Sequence, residues 1–357
     1  MKVRVSREII VALTAVVLGL AAGALFMLIT GHNPFEGYTY LFRGGLMNVE
    51  RIGNSLATAT PLIMTGLSVA FAFRTGLFNI GASGQMLIGG LCATAVGLTL
   101  VLPQPLLLAL MLLAAVCGGA LWGLVPGFLK ARFNVHEVVA TIMMNWIAYW
   151  TVYYTVPAYF KGPYLETESR KIPEFASLKV PWLTRIFEGS YVNLGLFVAL
   201  AAIVVIAVIL NRTVLGYQLK AAGFNRYASE YAGMNVQRNI ILSMTIAGAL
   251  AGIGGATLYV GYASNMQIGV LPSHGFDGIA VALLGSNTPI GVLGSALFFG
   301  ILHSGKGFMN AMTEIPPEIG DTIIATIIYF AATSVLIENG LNALQRRLVR
   351  RKGQEES

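Results

Sequence analysis

The sequence predicts an all-α, polytopic membrane protein with about ten transmembrane segments. Three observations carry that prediction. The 357 residues are 56% hydrophobic and only 11% charged, whereas soluble domains average about 25% charged residues. The mean hydropathy is +0.72. Long apolar runs recur, each close to the roughly 20 residues a helix needs to cross a bilayer. The net charge of +7 does not point to nucleic acid. The basic residues sit at the ends of apolar runs, where membrane orientation requires them. Cys92 and Cys117 fall in apolar segments and read as small core hydrophobes without a disulfide.

Taken in order, Lys2, Arg4 and Arg7 precede an apolar run from Ile9 to Thr30. It is too long for a signal-peptide core and lacks a convincing small-x-small cleavage site, so it reads as an uncleaved first span at 9–30. The half-polar stretch 31–53 reads as an interfacial helix. Further spans are expected at 54–73, 78–101, 105–129, 136–157, 191–210, 239–261 and 319–338. Between the last two, 276–287 and 289–305 are too short for two ordinary crossings. They flank the turn Gly285-Ser286-Asn287-Thr288-Pro289 and read as a short hairpin, broken or re-entrant. Gly119-xxx-Gly123-xxx-Gly127 is a small-residue ladder suited to close helix packing.

With both termini cytoplasmic, 15 of the 23 basic residues fall on the inner side. Five of the other eight lie in the 158–190 loop, where the positive-inside rule is weak. The chain then reads as a single permease-like domain over 1–357. It has an extracytoplasmic loop at 158–190, a cytoplasmic loop at 211–238 and a basic cytoplasmic tail at 339–357.

The stretch Phe78-Asn79-Ile80-Gly81-Ala82-Ser83-Gly84-Gln85 interrupts this apolar landscape. Unpaired backbone groups in lipid cost several kcal/mol each, so such a break is buried in protein, lines a wet cavity, or is a plain turn outside the membrane. Broken helices often come in pairs from inverted repeats. Gly275-Phe276-Asp277-Gly278-Ile279-Ala280 is the candidate echo, with Phe78-Asn79 matching Phe276-Asp277. Asn79 and Asp277 are both good N-cap residues. Asp277 is also a carboxylate well inside an apolar segment, where ionisable groups serve function or a cap. In the 211–238 loop, Gly223 and Gly233 bracket a short helix whose Ala228, Tyr231 and Ala232 make a small apolar face. It is either a docking helix for a cytoplasmic partner or an ordinary connection.

Four separated motifs carry a resemblance. They are Arg74-Thr75-Gly76-Leu77-Phe78-Asn79-Ile80-Gly81, Val138-Val139-Ala140-Thr141-Ile142-Met143-Met144-Asn145-Trp146, the 215–234 loop, and Gly275 to Gly285. In this order they resemble the permease subunits of bacterial nucleoside ABC importers, guanosine-type systems among them, which belong with the ribose and branched-chain amino-acid permeases. The resemblance runs from about Ile9 to Ile337. It implies a subunit of the bacterial plasma membrane that is not itself an enzyme and binds no cofactor, with ATP and Mg on a separate cytoplasmic ABC ATPase. It also implies a second homologous permease, an extracytoplasmic substrate-binding lipoprotein and a nucleoside substrate. The segment around Gly223, Asn225, Glu230, Tyr231, Ala232 and Gly233 becomes the coupling helix. In relatives the opening stretch commonly reads Asn-Ile-Gly-x-Glu-Gly-Gln; here position 83 is Ser.

A nucleoside has a flat base and a hydroxyl-rich sugar, so its route needs stacking faces and amide or hydroxyl partners. The candidates are Asn79, Ser83, Gln85, Asn145, Trp146 and Asp277. Asn145 is equally suited to helix–helix hydrogen bonding, and Trp146 to plain packing. Gly300-Ile301-Leu302-His303-Ser304-Gly305-Lys306-Gly307 nearly fits the phosphate-binding Walker pattern. It ends in Gly and follows an apolar helix, so it is rejected. A simple-sugar permease of the same architecture is the alternative function. An ion-coupled carrier is disfavoured, because in-membrane carboxylates are scarce beyond Asp277.

Overall fold

The computed structural model describes residues 2–163, 167–333 and 337–338. Among them are fourteen α-helices and no β-strand. In chain order these are α1 (Lys2–Ile29), α2 (Pro34–Leu46), α3 (Val49–Arg74), α4 (Ala82–Thr99), α5 (Gln104–Phe133), α6 (Glu137–Tyr159) and α7 (Pro181–Ile186). Then come α8 (Gly195–Arg212), α9 (Val214–Phe224), α10 (Arg226–Tyr231), α11 (Val236–Ala256), α12 (His274–Leu284), α13 (Pro289–Thr313) and α14 (Pro317–Ala332). The protein is an all-α, polytopic membrane protein. The basic tail expected at 339–357 lies outside the described residues, as do 334–336 of the expected last span.

Seven helices are long and apolar enough to cross a membrane: α1, α3, α4, α5, α8, α13 and α11 with its extension. Ten spans were expected. One expected span, α6, has 23 residues, but its tryptophans and tyrosines dilute its apolarity. The hairpin expected at 276–287 and 289–305 has unequal arms, with Asp277 of the first beside His303 of the second. Here α12 has 11 residues, about 16 Å, and α13 is a single 25-residue helix, about 38 Å. The helix carries on through His303, Ser304 and Lys306, where the hydropathy falls. The Walker-like Gly300–Gly307 therefore lies within a continuous helix and forms no phosphate-cradling loop.

The chain divides into two compact units, Met1–Arg43 with Gly305–Ser357, and Gly44–Ser304. In the first, α1 packs along α14. Thr326 Oγ1 donates to the Gly19 carbonyl at 3.1 Å, and Lys306 Nζ meets Asp321 Oδ1 at 2.6 Å. The stretch read as interfacial forms α2, a helix separate from α3.

In the second unit α11 is the central helix, flanked by α5, α4 and α3. Its seam with α5 is glycine on glycine. A Cβ at Gly119 would overlap the Gly248 carbonyl oxygen, and one at Gly123 the Met244 carbonyl oxygen. Gly127 packs on Met244, Gly252 abuts Ala115 and Gly119, and Gly89 of α4 meets Gly252 from another side. The small-residue ladder thus lets helix backbones touch. After Ala256, α11 passes into a π-helical turn, Thr257–Tyr262. The 158–190 loop holds a 3₁₀ turn at Glu174–Ala176 and α7. It is pinned to the segment after α11 by a bridge between Glu168 and Gln267.

Candidate functional site

Both helix breaks lie in the second unit, and they meet. The first runs from Thr75 to Gly81, between α3 and α4. Asn79, Ser83 and Gln85 are each at most 1% exposed. Asn79 and Gln85 form a reciprocal amide pair: Asn79 Nδ2 donates to Gln85 Oε1 at 2.9 Å, and Gln85 Nε2 returns a bond to Asn79 Oδ1 at 3.2 Å. Asn79 Oδ1 also accepts from the Gly81 amide at 3.0 Å, and Nδ2 reaches Ser68 Oγ at 3.4 Å. From α6, Asn145 Oδ1 accepts from the Gly84 amide at 2.8 Å, and its Nδ2 donates to the Ile80 carbonyl at 3.0 Å. The break is a sealed joint whose polar groups satisfy one another, as burial in an apolar setting requires.

The second break follows the π-turn and ends at α12. Thr65 Oγ1, on α3, donates to the His274 carbonyl at 2.8 Å. Thr65 lies nine residues from Arg74, about 14 Å along the helix, so α12 starts deep beside α3. It then runs toward the Arg74 end, where Arg74 Nε donates to the Asn287 carbonyl at 2.9 Å. By contrast α4 starts near Ser68 and leads away from that end, its Ala93 packing with Ala256 and Val260. The two helices leave the joint in opposite directions with their N-termini in contact. A Cβ at Gly275 would overlap Ser83, and Ser83 Oγ donates to the Pro272 carbonyl at 3.0 Å. Ser83 is therefore a tie between the breaks, bonded to backbone.

Neither predicted N-cap is one. The N-cap of α4 is Gly81, with Asn79 two residues earlier, and the N-cap of α12 is Ser273, with Asp277 already inside the first turn. The Phe-Asn and Phe-Asp pairs thus occupy different positions relative to their helices. An acidic side chain in a first turn still suits the positive helix end. Asp277 Oδ2 lies 3.5 Å from His303 Nε2 on α13, and neither atom has a hydrogen-bond partner among the described residues. Nothing in the residue pattern announces this pair, whose members lie 26 positions apart on successive helices. Trp146 is half exposed on the outer face of α6, edge-on to Tyr149, while Asn145 beside it points into the joint.

The 211–238 loop forms α9 and α10, so Gly223 lies within a helix and does not break one. It packs backbone to backbone against the root of the first break: a Cβ there would sit 2.6 Å from the Arg74 carbonyl oxygen and 3.0 Å from the Gly76 nitrogen. Gly76 adopts φ +72, a left-handed conformation that suits glycine. Asn225 caps α10, its Oδ1 accepting from the Ala228 amide at 3.0 Å. Gly233 follows α10 at φ +79, its amide bonded to the Glu230 carbonyl at 2.9 Å. Tyr231 is 96% exposed and Ala232 is exposed too. Burial and then the nearby Arg74 charge hold the Lys220 ammonium below its ordinary pKa.

Comparison with known proteins identifies the family. The family model described as "Branched-chain amino acid transport system / permease component" matches residues 51–332. The chain is 44% identical to the guanosine ABC transporter permease protein NupP of Bacillus subtilis, over 95% of this chain and 97% of that protein. It is 40% identical to the nucleoside ABC transporter permease protein NupB of Lactococcus lactis, over 93% of each. It is 32% identical to the glucose ABC transporter permease protein TsgB13 of Haloferax volcanii, over 89% of this chain and 86% of that one. No solved structure matches. The chain therefore belongs to the family of permease components typified by the branched-chain amino acid transport system, the membrane subunits of ABC transporters.

Proposed function

We propose that the chain moves nucleosides into the cell as one of two permease subunits of an importer driven by a separate ABC ATPase. The observation that carries the mechanism is the contact of Gly223 with Arg74–Gly76. It joins a loop bearing exposed aromatics to the root of the first helix break. The Arg74 guanidinium extends the link to the Ser286 and Asn287 carbonyls, at 3.3 and 2.9 Å, where α12 ends. A push on the loop reaches the end of α12 through main chain and one rigid guanidinium.

In this reading both termini and the 211–238 loop are cytoplasmic, as the Lys and Arg distribution favours. The residues from Gly223 to Gly233 dock on the ATPase, which holds ATP and Mg. The 158–190 loop receives a substrate-binding lipoprotein. The second subunit is a homologous permease. Asn79, Gln85 and Asn145 keep the joint closed and do not touch cargo, because their hydrogen bonds are spent within the joint, Asn79 and Gln85 on each other and Asn145 on the backbone of Ile80 and Gly84. Asp277 borders the route from the first turn of α12. Nucleosides are the cargo favoured by the two relatives above 39% identity, and the Haloferax glucose permease favours simple sugars as the second reading.

The test is uptake by the complete complex, with guanosine, adenosine, uridine and ribose in competition. Nucleosides should compete and ribose should not; the reverse result selects the sugar reading. Tyr231→Arg, at a 96% exposed position of the docking segment, should leave the complex assembled while ATP hydrolysis no longer drives uptake. Uptake that survives a disabled ATPase overturns the proposal.

A further inference from the structure

The two breaks are satisfied very differently. The first is sealed, as described above. The second is open from Gly269 into the first turn of α12: Gly269, Val270 and Ser273 of the break and Phe276 of the helix are exposed, Phe276 to 43%. Among the described residues, no hydrogen-bond partner meets the backbone N–H groups of Gly269, Val270 and Leu271. Yet both ends of the segment lie level with the interior turns of long helices, α6 at one end and α3 at the other. Tyr149 Oη donates to the Gly269 carbonyl at 3.4 Å, and Tyr149 is twelve residues into α6, about 18 Å from its start. At the other end, His274 is bonded to Thr65, well inside α3. Irregular backbone with free N–H groups is strongly disfavoured against lipid and persists where it is buried in protein or meets water. Gly269, at φ +78, has no side chain to screen its amide.

We propose that residues 269–276 form the water-exposed wall along which cargo crosses, and that Phe276 supplies the flat apolar face that a base slides over. Tyr149, whose hydroxyl meets Gly269, and its stacked neighbour Tyr153, with centroids 6.2 Å apart, add aromatic surface at the Gly269 end. The unpartnered amides offer donors to the sugar hydroxyls or to the water that accompanies them. This deepens the transport reading above and rests on it for the nature of the cargo.

The experiment uses the complete complex with Cys92→Ala and Cys117→Ala, carrying Val270→Cys or Ser273→Cys. Both cysteines should react with a charged, membrane-impermeant thiosulfonate, and Ser83→Cys, in the sealed joint, should not. Guanosine should slow labelling at position 273. Reaction with a lipid-soluble maleimide alone would place the segment against lipid, and no reaction with either reagent would place it under the second permease; each overturns the proposal. Phe276→Ala should raise the KM for nucleoside uptake about tenfold, in keeping with base–aromatic stacking, and Phe276→Trp should restore it. An unchanged KM removes Phe276 from the route. Labelling without any nucleoside uptake by the unsubstituted complex would sink the cargo assignment and leave the wall standing.

Discussion

The amide pair of Asn79 and Gln85 works as one object. Asn79→Ala strands the Gln85 amide and the Gly81 N–H inside the protein, and each orphaned group costs about 1–3 kcal/mol. The expected result is a clear fall in the thermal midpoint of the purified protein. Trp146→Leu, one residue beyond the equally buried Asn145, should leave the midpoint nearly unchanged, because its ring already faces outward. A reversed order would mean the joint is not what holds α4 in place. Asp277→Ala should impair uptake more than expression, since it removes the carboxylate facing His303 at the start of α12; equal loss of both would make the pair purely structural. The sequence placed Asn79 and Asp277 at polar breaks but not at their positions relative to the helix starts. A reciprocal pair six residues apart across a non-helical turn leaves no periodic signature. Nor does a carboxylate that finds its histidine on another helix.

Among the elements, the glycine seam makes the sharpest contrast. Gly248→Leu drives a side chain into the Gly119 carbonyl and should abolish accumulation of folded protein. A Cβ at Gly294 of α13 meets nothing within 4 Å, so Gly294→Ala should be neutral or stabilise by up to about 1 kcal/mol through helix propensity. Comparing membrane-inserted, detergent-stable yields of the two variants checks both, and equal yields would mean that the seam tolerates separation. Half of this seam was legible: Gly119, Gly123 and Gly127 repeat at four, the period that lines up one helix face. Their partners on α11 share the period, but no sequence rule says which two ladders meet. The end of α13 was not legible, because helix propensity and main-chain bonding carry it past polar residues that hydropathy counts as an ending.

For the whole molecule, orientation is the open quantity that the sequence addresses most directly. In sealed cells, a cysteine replacing the exposed Glu188 should react with an impermeant thiol reagent, and one replacing Tyr227 should react only after permeabilisation. The opposite pattern would invert the assignment of every loop. The all-α membrane architecture was legible from composition alone, because lipid permits few other solutions. The half length of α12 was not, since hydropathy cannot tell a short helix from the end of a longer element.

The seam has a further consequence for motion. Where glycine backbones interlock one turn apart, α5 and α11 cannot glide past each other by a fraction of a turn; they stay put or jump a whole notch of about 6 Å. With Gly89 engaging Gly252 as well, α4, α5 and α11 form a stator, and the moving part falls to α12 and the loop that drives it. Chemical cross-linking of α5 to α11 should then leave uptake intact, whereas fixing α12 to α3 should stop it. Together those two outcomes would show an importer that opens by swinging half a helix on a fixed post.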